Sequence, residues 1–267
     1  VTQRRRLRLG AIESTSLPAA SARARDARRR RPVARDPAAA GLADDLDLGV
    51  APGRADELCT LLRGAVLDHW VREFATANPA GTVVELGPGL DARAGRLGAD
   101  GPEHWVDVEL PEVADLRREL LPATTHLVAG SVLDEDWMEL ARELPGPYLV
   151  VSDQVLPLLP EQGVQRIVFT VARMLPGAIL ATDVLSRAAA GRLAAGPLSG
   201  LGTDWTCEDP RELEPWGLRL LDACEAGAPP APVAAQLPRA TRALAAVLGV
   251  APALRGHRMA RFEVLPG

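Results

Sequence analysis

The chain has 267 residues, 47% of them hydrophobic, which suits one α/β domain with a cap or two small domains. Its formal net charge of −5 argues against a dedicated nucleic-acid binder. All thirty basic residues are Arg and none is Lys, which reads as the codon bias of a GC-rich genome rather than a chemical choice.

The first ten residues, with Arg4, Arg5, Arg6 and Arg8, read as a tail. From Ser16 to Arg31 the chain is Ala- and Arg-rich and reads as one amphipathic helix, with Arg28 to Arg31 on a solvated face. Arg35-Asp36-Pro37 punctuates, because the residue before proline is pushed out of the α region. A longer helix follows over Arg54 to Ala77, with Leu58, Leu61, Leu62, Ala65, Val66 and Phe74 at helical spacing.

Strands are then expected at Thr82–Leu86, His104–Val108, His126–Ala129, Tyr148–Ser152 and Ala178–Asp183, with helices at Glu112–Leu121, Asp134–Leu144 and Glu161–Leu175 between them. Such alternation implies a parallel sheet with helices on both faces. Beyond Asp183, the stretch Arg187–Gly202 is rich in Ala, Gly and Leu. Arg211–Trp216 reads as a short helix, Leu218–Ala223 as a strand, Leu237–Leu248 as a helix and His257–Val264 as a final strand. The expected organisation is a single domain over 11–267: a helical cap over 11–80, a βα core over 81–185, and a cap segment with closing strands over 186–267.

In open α/β sheets ligands sit outside the carboxyl ends of the strands. Strand one delivers Glu85 and then the turn Gly87-Pro88-Gly89, where a Cβ would block both a tight turn and a close ligand. Strand two delivers Asp107 and, at its tip, Glu109, a carboxylate placed to accept both hydroxyls of a ribose. Strand three ends at Gly130-Ser131-Val132, where Ser131 either caps the next helix or bonds an adenine nitrogen. Strand four ends at Ser152-Asp153-Gln154, where Asp153 either faces a cofactor ammonium or caps a turn. Four polar tips mark a nucleotide site without separating nicotinamide, flavin and S-adenosylmethionine. The acid ahead of a lone G-x-G favours the last, and Ala92 stands where dinucleotide folds have a third glycine.

The runs Val83–Arg93, Trp105–Val113, Ser131–Asp134, Leu149–Pro160 and Asp209–Leu213, with Arg35-Asp36-Pro37, resemble the leucine carboxyl methyltransferase family. The likeness is to its bacterial, tetracenomycin-type polyketide O-methyltransferase branch and spans nearly the whole chain after the arginine tail. It implies a class I S-adenosylmethionine-dependent methyltransferase fold: α/β, Rossmann-like, a mainly parallel seven-stranded sheet whose last strand is antiparallel, with a helical cap. It further implies that Arg63 holds the methionine carboxylate, Gly87 and Gly89 pass close to the cofactor, and Glu109 binds the ribose. Ser131 and Val132 would flank the adenine, and Asp153, where the family more often has Glu, would lie near the methionine amino group. Two further departures are Ala65, in place of a second arginine, and Pro157-Leu158-Leu159, in place of a tyrosine.

S-adenosylmethionine is therefore the expected cofactor, S-adenosylhomocysteine its product, and an O-methyltransferase of a small-molecule, polyketide-like acceptor the leading function. A carboxylate acceptor is ionised at neutral pH, whereas a phenol, with a pKa near 10, gains from a base. No motif marks such a base, which favours a carboxylate; His69 and His257 are the candidates. Arg93 either holds the acceptor or is structural, salt-bridged to Asp91 or a neighbouring strand. The competing readings are an S-adenosylmethionine-binding protein without methyl transfer, shaping a substrate for another reaction such as a cyclisation, and a nicotinamide oxidoreductase. Cys59, Cys207 and Cys224 form no C-x-x-C pair and the four histidines are scattered, so neither disulfides nor a metal are expected. No apolar run approaches a membrane span, and no apolar segment follows the first arginines, so a cytoplasmic protein with no membrane or nucleic-acid partner is expected. A homodimer is one option for its oligomeric state.

Overall fold

The computed structural model describes residues 4–49, 51–123, 126–196, 203–248 and 255–265. Arg5–Arg6 (β1) pairs in parallel with Leu46–Asp47 (β2), and Leu7 and Leu9 pack against a cluster that includes Leu42, Leu46 and Leu90. The expected tail is therefore corrected from Arg5 onward: two leucines among the arginines give this segment apolar surface to bury. Residues 1–3 lie outside the described residues.

The helix expected over Ser16–Arg31 ends earlier, at Ala27 (α1, Ser16–Ala27). The buried carboxylate of Asp26 accepts the N–H groups of Val33 and Ala34, both at 2.8 Å, and so folds the chain back on the helix end. Arg28–Arg31 are left exposed. Asp36 then caps a helix that the sequence reading leaves unassigned, Pro37–Asp45 (α2), accepting from Ala39 N at 3.0 Å with Pro37 in the first turn. The long helix Arg54–Ala77 (α3) has the expected bounds.

Downstream, strands β3 (Thr82–Leu86), β4 (His104–Glu109), β5 (His126–Ala129), β6 (Tyr148–Ser152) and β7 (Ile179–Leu185) alternate with helices α4 (Arg93–Leu97), α5 (Pro111–Leu120), α6 (Asp136–Glu143) and α7 (Glu161–Met174). After β7 come α8 (Arg187–Ala194), a 3₁₀ helix at Pro210–Trp216, β8 (Leu218–Glu225), α9 (Ala231–Gln236), α10 (Arg239–Leu248) and β9 (His257–Val264). The helix expected over Leu237–Leu248 begins only after Leu237-Pro238, as proline's steric demand on its predecessor requires. Part of the Arg187–Gly202 stretch, residues 197–202, lies outside the described residues.

The large sheet runs β5-β4-β3-β6-β7-β9-β8, and β9 alone runs opposite to the other six strands. This is the expected seven-stranded class I methyltransferase sheet. Alternation along the strands supplies both faces. Val84, Leu86 and Val150 point into a core shared with Trp137, Val164 and Val168 of α6 and α7. Val83, Leu149 and Val151 point the other way, onto Val66, Leu67, Trp70 and Phe74 of α3. β3 is buried at all five residues, as a central parallel strand covered on both faces must be.

Candidate active site

A cavity of about 310 Å³ opens at the carboxyl ends of the strands. Every cofactor residue read from the sequence lines it: Arg63, Glu85, Gly87, Gly89, Glu109, Ser131, Val132 and Asp153. Ser16, Ala19 and Arg23 of α1 form part of its wall.

The loop after β3 is held from both sides. Glu109 accepts the N–H of Gly89 on Oε2 at 2.6 Å and that of Leu110 on Oε1 at 2.8 Å. Arg117 donates to the carbonyls of Gly89, at 2.7 Å, and Asp91, at 2.6 Å, and its guanidinium pairs with Asp107. Asp107, which shares a strand face with Glu109, also takes the indole N–H of Trp105 at 2.9 Å, so it is an anchor for Arg117. Burial raises the pKa of Glu109 against the pull of the two N–H groups. Gly87 and Gly89 both have positive φ, +56° and +57°. A Cβ would lie 2.6 Å from Val155 Cγ2 at the first and 2.7 Å from Ser16 Cβ at the second. The glycines thus bring α1 and the turn after β6 against the loop.

Beneath the loop lies a buried charge network. Arg93 is wholly buried and donates to Glu85 Oε1 at 2.7 Å, Asp68 Oδ1 at 2.8 Å and Asp91 Oδ2 at 3.4 Å. Arg96 bonds Asp68 and Asp91 as well, and Arg23 of α1 reaches Asp36 and Asp91. Three carboxylates occupy the fork of Arg93, the structural alternative of the sequence reading, although the residue also borders the cavity. Burial pushes Glu85 up to about 7, despite Arg93. Its Oε2 has no hydrogen-bond partner among the described residues.

On the other side, Arg63 donates Nε–H to Asp153 Oδ1 at 2.8 Å and Nη2–H to Gln154 Oε1 at 2.7 Å. Burial opposes ionisation of Asp153, but Arg63 and Arg93 outweigh it and hold the carboxyl below its usual range. Gln154 has φ +59°, and its N–H is fixed by Asp183 Oδ1 at 2.7 Å. Asp183 Oδ2 also accepts from His257 Nε2 at 2.7 Å. Ser131 Oγ accepts from Leu133 N at 3.1 Å, so it stabilises its own turn while lining the cavity.

Neither histidine candidate lines this cavity. His69, on α3, lies 3.4 Å from Glu73 Oε1. His257 is buried between Asp183 and Cys59; burial disfavours its cationic form, but Cys59 and Asp183 prevail and push it up to about 9. Neither candidate base therefore borders the cavity, and the Nε2 of His257 is already engaged by Asp183.

A sequence profile for leucine carboxyl methyltransferases matches residues 16–139. The tetracenomycin polyketide synthesis O-methyltransferase TcmP of Streptomyces glaucescens is 33% identical over 185 residues, covering 67% of this chain and 68% of that protein. The chain belongs to the leucine carboxyl methyltransferase family. It is an S-adenosylmethionine-dependent methyltransferase. The fold agrees: a DUF574 family protein from Streptomyces avermitilis superposes with a TM-score of 0.55 at 18% identity, over 79% of this chain and 86% of its own. A candidate methyltransferase from Thermobifida fusca gives 0.56 at 18% identity, over 80% and 84%.

The residues fit the family's cofactor. A partnerless buried carboxylate oxygen on Glu85 complements a cation, and a positive-φ glycine turn borders the same space. Among the described residues no group of three or more His, Cys, Asp or Glu is arranged to hold a metal, and no helix is long and apolar enough to cross a membrane.

Six participants escaped the sequence reading: Arg23, Cys59, Asp68, Arg96, Arg117 and Asp183. Asp183 ends the fifth expected strand, and the strand-tip rule that found Asp153 applies to it equally. The other five lie on helices, where a charged or sulfur-bearing side chain carries no sequence mark of the loop it will meet.

Proposed function

We propose that the protein transfers a methyl group to an oxygen of a small, polyketide-like acceptor, and that this oxygen belongs to a carboxylate. The observation that carries the carboxylate is the absence of histidine from the described cavity lining, together with the pairing of His257 to Asp183 and Cys59 outside it. An acceptor ionised at neutral pH needs no base. The TcmP name supports the polyketide class and oxygen as the acceptor element.

In this reading Glu109 binds the ribose hydroxyls with the lone pairs left free by the Gly89 and Leu110 N–H groups. Glu85 Oε2 and Asp153 receive the methionine ammonium, and Arg63 its carboxylate. Gly87 and Gly89 border the sulfur nucleotide, and Ser131 and Val132 flank the adenine. When bound, the cofactor supplies an electrophilic methyl group on a positively charged sulfur. The protein's own contribution is alignment and exclusion of water: holding the acceptor oxygen behind the methyl carbon lowers a barrier by roughly 7–11 kcal/mol. α1, tied to the loop by Arg23–Asp91 and the Ser16–Gly89 contact, covers the aligned pair.

Incubation with methyl-labelled S-adenosylmethionine and a panel of aromatic carboxylic acids and phenols tests this. The expected product is a methyl ester, which releases labelled methanol in alkali. An alkali-stable ether would overturn the carboxylate, and label confined to nitrogen or carbon would overturn O-methylation.

A further inference from the structure

A second cavity of about 70 Å³ lies beside the first, and the two share Thr15, Ala19, Arg63 and Gln154 as walls. Its lining includes Cys59 and His257. Cys59 Sγ is 3.6 Å from His257 Nδ1 and 3.6 Å from Arg63 Nη1, and His257 Nε2 is 2.7 Å from Asp183 Oδ2. Arginine only donates, so the sulfur must accept from Arg63. A carboxylate fixes the Nε2 proton of His257, which leaves Nδ1 as the sulfur's second neighbour. The Cys–His–Asp order is that of activated thiols, in which the thiol proton passes to the imidazole and leaves a thiolate between two cationic donors.

We infer that Cys59 is an activated thiolate and a site of covalent modification by small soft electrophiles entering the second cavity, and that its adduct displaces Arg63 from the cofactor site. The charged groups lining its cavity are Arg63 and Asp56 on α3, His257 on β9 and Arg192 on α8, with Asp153 after β6 paired to Arg63 and Asp183 on β7 paired to His257. Burial disfavours the thiolate, but His257 and then Arg63 outweigh it and lower the Cys59 pKa. Cys207 and Cys224 have the opposite surroundings: burial and neighbouring carboxylates push both up to about 12. Reactivity should therefore run against exposure, since Cys59 is buried and Cys224 is half-exposed. The displacement of Arg63 rests on the cofactor reading above; the thiolate does not.

The probe is methyl methanethiosulfonate. The thiolate attacks its divalent sulfur, a mixed disulfide forms on Cys59, and methanesulfinate leaves with the electron pair of the broken bond, with no proton exchanged. Wild-type protein is treated with less than one equivalent at about pH 6, where an ordinary thiol is almost wholly protonated, and the three cysteines are quantified by peptide mass spectrometry. Cys59 should react at least about tenfold faster than Cys224 and Cys207. In a His257→Asn variant the Cys59 rate should fall to that of the other two. Faster labelling of Cys224 or Cys207, or a Cys59 rate unchanged by the substitution, would overturn the proposal. Titration with S-adenosylmethionine before and after labelling reads the second half: affinity should drop by about tenfold or more. Full affinity after labelling would refute the displacement, whereas failure to bind before labelling would count against the cofactor reading alone.

Discussion

Arg93 donates its Nε–H to Glu85 Oε1 at 2.7 Å and leaves Glu85 Oε2, at the cavity wall, without a partner among the described residues. One carboxylate thus holds the network beneath the glycine loop with one oxygen and presents the other for a ligand. Burial holds its pKa near 7, and a cationic cofactor beside it would draw that value down. Binding should therefore release a proton below pH 7, and affinity should rise with pH up to about 7 and then level off. Calorimetry at about pH 6 in two buffers of different ionisation enthalpy measures the release directly. Identical heats in both buffers would contradict the Glu85 assignment. The linked stability has the opposite slope in the free protein: a carboxyl raised from 4.5 to about 7 stabilises most below 4.5, and that contribution is lost as pH rises to 7.

Arg93→Met should behave as a folding variant. It leaves Glu85, Asp68 and Asp91 buried without their shared cation. Breaking such a network by removing one partner costs about 3–5 kcal/mol. Urea unfolding measures it. A loss under about 1 kcal/mol with a selective rise in acceptor KM would return Arg93 to the acceptor.

Glu109→Ala should weaken S-adenosylmethionine binding by roughly ten- to a hundredfold, since charged hydrogen bonds contribute about 1.5–3 kcal/mol. The loss has two sources, the ribose contacts and the freed Gly89 and Leu110 N–H groups. Glu109→Gln keeps one acceptor oxygen and should fall between the two. Unchanged affinity in Glu109→Ala, with an intact melting transition, would remove the ribose role.

Gly89→Ala tests the coupling of the loop to α1. Positive φ alone costs about 1–3 kcal/mol in a side-chain-bearing residue, and the new methyl also meets Ser16. Gly98→Ala is the control, with φ +50° and nothing within 4 Å of its Cβ. Both should lower the melting temperature, and only Gly89→Ala should weaken cofactor binding. Equal effects on binding would contradict the contact between the loop and α1.

The parallel core was legible because burial on both faces leaves long β-branched runs, as in Val83-Val84 and Leu149-Val150-Val151. The polar tips were legible for the complementary reason: a carboxylate such as Glu109 or Asp153 closing an apolar strand has to meet something polar. What escaped depended on three-dimensional closure. Nothing local marks Asp26 as the residue that stops α1, because its partners Val33 and Ala34 lie in the following turn. The role of Arg93 was open for the same reason, since Asp68 comes from another helix, 25 positions earlier. His257 stood only as a candidate base, because Asp183 and Cys59, which enclose it, are distant in the chain.

Calorimetric titration of the purified protein with S-adenosylmethionine, S-adenosylhomocysteine and NADH tests the cofactor cavity most directly. The account predicts micromolar binding of both sulfur nucleotides, no heat with NADH, and a parallel loss of both in Glu109→Ala. Binding of NADH in their place, or no binding of either sulfur nucleotide, would contradict it.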